Sequence, residues 1–79
     1  MKHVPKELQD AFYAGLRSTR VPFVVGDVVE VVAGKHLGLR ASPICLESVD
    51  PDTSVLVEFA DGSDAVLLAR DLRVAENAS

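Results

Sequence analysis

The chain has 79 residues, enough for one small domain, of which 48% are hydrophobic and 25% are charged. This composition is typical of a globular chain and excludes wholesale disorder. Twelve acidic against eight basic residues give a net charge of −4, which argues against a strongly nucleic-acid-binding surface. Thirteen valines against nine leucines favour strands over helices, because β-branched side chains pack well on a pleated sheet.

The sequence predicts a cytoplasmic protein that has no membrane span and no secretory leader. Its uncharged runs are short and are interrupted by Gly, Pro and Thr, so none is long enough to cross a bilayer. Residues 1–7 become polar and charged at once, unlike a signal peptide. The single cysteine, Cys45, has no internal disulfide partner, which suits a reducing compartment.

An amphipathic helix is predicted near the start of the chain, from Pro5 to about Ser18. The apolar residues that recur at helical spacing are Leu8, Ala11, Phe12 and Leu16. Proline is tolerated in the first helical turn, where a missing N–H costs nothing. We expect Leu8, Phe12 and Leu16 to cover an open end or seam of the strand-rich part, with binding of a partner chain as the alternative. Residues 21–25 then form an extended lead-in whose apolar side chains dock on the same body.

Five short strands joined by tight turns are predicted in the rest of the chain. They cover residues 27–32, 44–49, 55–59, 65–68 and 73–74. Pro43 has no N–H to donate, so it indicates an edge or a bulge at the start of the second strand. Residues 50–53 and the dipeptide Asp61-Gly62 have turn chemistry, and residues 69–72 are expected to form a single tight turn. The alternation along the third strand places Val55, Val57 and Phe59 on one face.

The fold predicted from this pattern is mainly β: a small five-stranded barrel preceded by one N-terminal α-helix. Closure is expected because it removes the exposed edges of the sheet. Residues 1–25 are the helix and the lead-in, packed on the barrel. Residues 26–74 are the barrel, and residues 75–79 are a frayed C-terminus.

Several short motifs run along the strand-rich part of the chain. They are Gly26-Asp27-Val28-Val29-Glu30-Val31, then Gly34 and Gly38, then Asp61-Gly62, and last Leu68-Ala69-Arg70-Asp71-Leu72-Arg73. Together they resemble a KOW-type, SH3-like barrel over about forty-seven of the 79 residues. Members of that family typically bind RNA, ribosomal or transcription-complex surfaces, or other proteins, so the resemblance implies a binding module. Ala41 and Pro43 stand where the family usually has a glycine and a β-branched residue, and we expect a different loop shape there.

The loop after the first strand carries the most suggestive group of side chains, which are Lys35, His36, Leu37 and Arg40. A glycine-bent loop with cationic groups suits an anion or phosphate contact, although an ordinary solvated loop has the same composition. Leu37 lies between charged neighbours, where it either contacts a partner or tucks back onto the barrel. Arg70 and Arg73 join this patch if the barrel closes in the usual way, or else pair with Asp71, Asp61 or Asp64.

Charge and aromatic content weigh against nucleic acid as the partner. Residues 26–74 contain nine acids and four bases, a net charge of −5, whereas phosphate binding needs several clustered cations. The aromatic residue of this region is Phe59, which the alternation places inside and away from any base.

The sequence predicts no enzyme, no cofactor, no metal site and no catalytic residue. His3 and His36 have no serine or cysteine partner nearby in the sequence, and Cys45 is expected to be a buried, inert thiol within a strand. The turn acids lack the spacing of known calcium loops, and no nucleophile, base and orienting group can be assembled.

The leading hypothesis is therefore a non-enzymatic module for protein–protein interaction. Its predicted face consists of Lys35, His36, Leu37 and Arg40, with the neighbouring hairpin residues Asp61 and Asp64. The alternative is an RNA- or ribosome-associated module that uses Lys35, Arg40, Arg70 and Arg73 as phosphate contacts. The third hypothesis is an acidic inhibitor or immunity-type protein that blocks a basic active site. No membrane partner is expected, and a monomer is favoured over a dimer formed through the helix or a barrel edge.

Overall fold

The computed structural model describes residues 4–76, which form one helix and five strands. These are α1 (Lys6–Ala14), β1 (Val28–Val31), β2 (Arg40–Ser48), β3 (Ser54–Phe59), β4 (Asp64–Leu68) and β5 (Leu72–Glu76). A 3₁₀ turn, Ala69–Asp71, connects the last two strands, where the sequence predicted a tight turn. The prediction of a mainly β chain with five strands and one N-terminal helix is confirmed. Within the described residues, no helix has the length and apolar character that a membrane crossing needs.

The five strands form one antiparallel sheet in the order β4-β3-β2-β1-β5. β2 is the central strand, since its first residues pair with β1 and most of its length pairs with β3. β4 and β5 are the outer strands, and no ladder joins them within residues 4–76. The structure thus shows a five-stranded sheet, and closure into a barrel stays a prediction.

Pro43 lies inside β2 and not ahead of it. The strand begins at Arg40, so the predicted start at residue 44 was wrong, and Arg40 belongs to a strand instead of the loop. The register with β3 shifts between Pro43 and Cys45, which confirms the predicted bulge. The residue left out of the ladder is Ile44, next to Pro43, which stays paired with Val57. On the other side of β2, the ladder with β1 covers only Arg40 and Ala41, so Pro43 has no partner there that needs its N–H.

The core lies between the inner face of the sheet and the N-terminal segment. Its buried strand residues include Val29, Val31, Ala41, Leu46, Val55, Val57 and Phe59. The predicted shared face of Val55, Val57 and Phe59 is confirmed. Val21 and Phe23 of the lead-in are also buried in this cluster, so the extended segment docks on the sheet as its apolar residues predicted.

The helix α1 ends earlier than its apolar pattern predicted. Gly15 takes a left-handed conformation with a φ of 81° and terminates the helix after Ala14. Leu16 therefore lies outside the helix with 64% of its surface exposed, and its predicted place on the apolar stripe was wrong. Phe12 is fully buried, and the side-chain amide of Gln9 both donates to and accepts from the backbone of Leu46. The helix is thus held on the sheet by Phe12, by Leu8, which packs on the core as predicted, and by two hydrogen bonds to β2.

An ion pair joins the segment after α1 to the residue that precedes β1. The Asp27 side chain has no solvent exposure, and its Oδ1 accepts a hydrogen bond of 2.6 Å from the Arg17 guanidinium. Its Oδ2 accepts the backbone N–H of Val24 at 2.9 Å. A buried carboxylate is tolerated when it is paired and hydrogen-bonded in this way.

The last strand is longer than the sequence predicted. β5 reaches Glu76, which pairs with Val28, so Ala75 and Glu76 belong to the sheet and not to a frayed end. The remaining part of that prediction, residues 77–79, lies outside the described residues.

Candidate functional site

The loop between β1 and β2, residues 32–39, is a compact hydrogen-bonded turn. Gly34 and Gly38 have φ values of 88° and 90°, a conformation that favours glycine. The N–H of Leu37 donates to the carbonyl of Gly34 at 3.1 Å, and the N–H of Gly38 donates to the carbonyl of Val31 at 2.8 Å. The backbone of the β1–β2 loop is therefore fixed by its own hydrogen bonds.

A ring contact fixes the same loop to the sheet. The imidazole of His36 stacks on Phe59, with ring centroids 4.9 Å apart and planes inclined by 29°. Phe59 ends β3 and is buried, so His36 rests on the rim of the core. The sequence predicts both positions separately, but it contains no signal that pairs them, because the contact depends on how the loop folds across the sheet.

Two leucines point into solvent from this fixed loop. Leu37 is 65% exposed and Leu39 is 50% exposed, and Val32 at the start of the loop is exposed as well. Leu37 is thus directed outward and is not tucked onto the sheet. Leu39 was not among the predicted contact residues, although it is separated from Leu37 only by a glycine. Apolar side chains grouped on one exposed loop are a mark of interaction sites.

A shallow cleft lies beside the loop, between it and the β3–β4 hairpin. Its volume is about 300 Å³, and it is lined by Leu39, Arg40, Phe59, Ala60 and Asp61. This volume is at the lower end of the usual range for ligand pockets, roughly 300–1,000 Å³. The cleft therefore suits a side chain of a macromolecular partner better than a whole cofactor.

The two predicted acids of the hairpin lie in different environments. Asp61 accepts hydrogen bonds from the hydroxyl of Ser63 at 2.6 Å and from its N–H at 2.9 Å. The hydroxyl bond, followed by the N–H bond, holds the pKa of the Asp61 carboxyl below its ordinary value. Asp64 opens β4 directly across from Glu58 of β3. Like charges in directly opposite positions are unfavourable, so this pair does not stabilise the sheet.

Arg40 and Arg73 lie close together on the outer face of the sheet. Both are cross-strand neighbours of Glu30, on β2 and β5 respectively. Arg73 donates to Glu30 at 2.5 Å, and the Arg40 guanidinium is 3.4 Å from Glu76. Each of these cations is therefore already engaged with a carboxylate.

Comparison with known proteins gives no relative of this chain. No protein-family model, curated protein or solved structure matches it. The geometry of the described residues therefore carries the functional argument.

Arg70 does not join the other predicted cations. Arg70 lies in the 3₁₀ turn, where its guanidinium is 3.7 Å from the Asp52 carboxylate. Asp52 comes after the C-terminal end of β2, whereas Arg40 is at the N-terminal end of that strand. The predicted pairing of Arg70 and Arg73 with Asp61, Asp64 or Asp71 was wrong, because Arg70 pairs with Asp52 and Arg73 with Glu30. Of the predicted cations, Lys35 alone has no ion pair within residues 4–76.

Cys45 is half-buried, less deeply than the sequence predicted. Its Sγ lies 3.7 Å from Oε2 of Glu47. Partial burial raises the pKa of the Cys45 thiol, and the nearby Glu47 carboxylate raises it further. A thiol that is protonated at neutral pH is a poor nucleophile. Within residues 4–76, no three His, Cys, Asp or Glu side chains are grouped to hold a metal, and His3 lies outside the described residues.

Proposed function

We propose that this protein is a non-enzymatic binding module that recognises a protein partner through the β1–β2 loop. The observation that carries the proposal is the outward placement of Leu37 and Leu39 on a loop with a fixed backbone. Burying the exposed part of one such leucine against a partner is worth about 1–2 kcal/mol. A loop that is already ordered loses little conformational entropy on binding, so more of that gain appears as affinity.

The partner that fits this site is a peptide or protein surface with an exposed apolar side chain. That side chain enters the cleft beside Leu39, where Phe59 and Ala60 provide the apolar wall. Arg40 and Asp61 supply one positive and one negative group at its rim, which orient a polar backbone or a charged neighbour.

The proposed architecture of the module is the small SH3-like, KOW-like barrel that the sequence resembles, with the sheet left open between β4 and β5. Three features support it: β2 is shared between β1 and β3, it is bulged at Pro43, and a 3₁₀ turn precedes β5. A bulge increases the local bend and twist of a strand, which helps a five-stranded sheet to curl. Ala41 and Pro43, which depart from the family's pattern, both lie in β2. The cytoplasmic location stays a prediction.

The test is an amide NMR titration with peptides selected from a random display library. We expect shift changes at residues 34–39 and 59–61 that persist at high salt, because burial of apolar surface is not screened. The double variant Leu37→Lys, Leu39→Lys should lose the binding. Leu16→Lys is the matched control, because Leu16 is exposed to the same extent at 64% but lies outside the loop.

The same assay discriminates the other hypotheses. Peptide binding that survives in the Leu37→Lys, Leu39→Lys variant would overturn the proposal. Shifts produced by mixed single-stranded RNA at Lys35, Arg40 and Arg73, reversed by salt and lost in Lys35→Glu with Arg40→Glu, would favour the nucleic-acid module instead. Binding that disappears in Asp61→Asn with Asp64→Asn, but survives the leucine changes, would favour an acidic face for a basic protein.

A further inference from the structure

β4 is an outer strand whose free edge carries unused backbone groups. At the two ends of the β3–β4 ladder, Phe59 donates to the Ser63 carbonyl at 2.8 Å and Ala69 donates to the Thr53 carbonyl at 2.9 Å. Ladder bonds of an antiparallel pair recur at every second residue. The backbone groups of the intervening residues therefore point away from β3; these residues are Asp64, Val66 and Leu68.

No other segment satisfies these groups within residues 4–76. β4 pairs with β3 alone, and no further backbone hydrogen bond reaches Asp64, Val66 or Leu68. Strand edges are usually protected by proline, lysine or a bulge. β4 has the sequence Asp64–Leu68 without Pro or Lys, and its register with β3 is continuous, whereas β1–β5 and β2–β3 each contain a shift. The edge is thus regular and available for pairing.

We propose that β4 pairs with β4 of a second copy of this chain, antiparallel and centred on Val66. A two-fold axis at Val66 places Val66 opposite its own copy and Asp64 opposite the partner's Leu68. All the outward backbone groups of the strand then form about six hydrogen bonds between the two chains. An isologous contact of this kind closes after two copies, and it joins the two sheets into one of ten strands.

Charge complementarity selects this register. Asp64 is opposed by Glu58 within its own chain, an arrangement that does not stabilise the sheet. In the Val66-centred pair, the partner's Leu68 lies opposite Asp64, and the partner's Arg70 follows two residues later in the 3₁₀ turn. The long side chain of Arg70 is therefore the cation placed nearest to Asp64 across the contact. Arg70 is 68% exposed and only loosely paired with Asp52 at 3.7 Å, so it is available for this contact.

The outer face of the sheet supports the same register. Val66 is exposed and lies in a cross-strand row with Leu56 of β3 and Cys45 of β2, both only half-buried. With the two-fold axis at Val66, this row of side chains meets the same row of the partner chain, and the two form one continuous row across the dimer. Pairing centred on Asp64 would instead place two carboxylates opposite each other, and pairing centred on Leu68 would meet the 3₁₀ turn.

The first experiment is sedimentation equilibrium of the full chain over a range of concentrations. We expect a mass that rises from 8.4 kDa towards twice that value. Val66→Pro should remain monomeric, because proline removes an outward N–H without removing a bond to β3. Leu37→Lys, on the β1–β2 loop, is the control and should still dimerise. A dimer lost in Leu37→Lys but kept in Val66→Pro would overturn the proposal and would place the contact between copies on the β1–β2 loop.

Charge reversal tests the register. Asp64→Arg and Arg70→Asp should each weaken the dimer by roughly five- to tenfold, since two equivalent pairs are lost. The double variant should restore it. Failure of restoration would overturn the antiparallel register.

A measurement on the unmodified chain makes the test independent of variant folding. Amide hydrogen exchange at Val66 and Leu68 should slow as the concentration rises, because these N–H groups become hydrogen-bonded between chains. Exchange at these amides that is independent of concentration, or a monomer at every concentration, would overturn the proposal.

Discussion

The ring of His36 lies against the ring of Phe59, with centroids 4.9 Å apart. Phe59 is also a wall of the cleft beside Leu39. The contact therefore connects the position of the exposed loop to the shape of the cleft. A movement of the loop would therefore displace His36 from Phe59 and change the wall of the cleft at the same time.

We expect His36→Ala to weaken both the fold and the proposed peptide binding. Loss of a stacked ring pair costs about 0.5–1.5 kcal/mol in the free energy of unfolding. Urea denaturation followed by circular dichroism measures this effect, and the NMR titration measures binding. His36→Phe keeps a flat ring on Phe59 and should restore both. A His36→Ala variant that binds the selected peptides unchanged would show that the stacking does not order the site.

Asp27→Ala should produce the largest loss of stability among the polar variants. The change removes the fully buried carboxylate that accepts from Arg17 and from the N–H of Val24. The variant leaves the buried N–H of Val24 without its acceptor, which costs about 1–3 kcal/mol in the free energy of unfolding, a large part of the stability of a domain of this size. The exposed pair of Lys6 and Asp10 provides the control, and Asp10→Ala should change the free energy of unfolding by less than about 0.5 kcal/mol. Equal effects of the two variants in urea denaturation would contradict this prediction.

The sequence predicted the strands best where one face of each strand is buried. Alternation placed Val55, Val57 and Phe59 on the inner face of β3, and the structure has all three buried. Alternation is informative here because a shift by one residue would turn the whole apolar face towards water. Turn chemistry was equally informative at Asp61-Gly62, which joins β3 and β4.

The sequence was less informative where a backbone conformation or a distant contact decides the outcome. The sequence indicates only that Gly15 is an unfavourable residue inside a helix. In the structure its left-handed conformation ends α1, and Leu16 is left in solvent. A proline is expected at the end of a strand, but Pro43 lies inside β2, next to a bulge. The partners of Arg70 and Arg73 are set by strand order, which local patterns do not encode.

Cys45 should react slowly with thiol reagents at neutral pH. Partial burial and then the Glu47 carboxylate raise its pKa, so the thiolate fraction at a given pH is smaller than that of an ordinary cysteine. The pH profile of its alkylation rate should be displaced upward from that of a cysteine in an unfolded peptide. Glu47→Gln removes the negative charge and should move the profile part of the way back. A pH profile that coincides with that of the unfolded peptide would show that the pKa of Cys45 is not raised in the folded chain.

Acid should weaken the β3–β4 hairpin through Asp61. The hydrogen bonds from Ser63 stabilise the ionised carboxylate, so the pKa of Asp61 in the folded chain lies below its ordinary value of 3.8. The unfolded chain therefore binds a proton at a higher pH than the folded chain. It follows that the stabilisation from this group is complete above the ordinary value and is lost as the pH falls through the lowered one. Ser63→Ala removes the largest of the causes that lower the pKa of Asp61, and an NMR titration of Asp61 should then have its midpoint closer to 3.8. Ser42→Ala, on β2, is the matched control and should leave the midpoint unchanged. A midpoint that is the same in Ser63→Ala and in the unmodified chain would show that the Ser63 hydroxyl does not hold the carboxylate in solution.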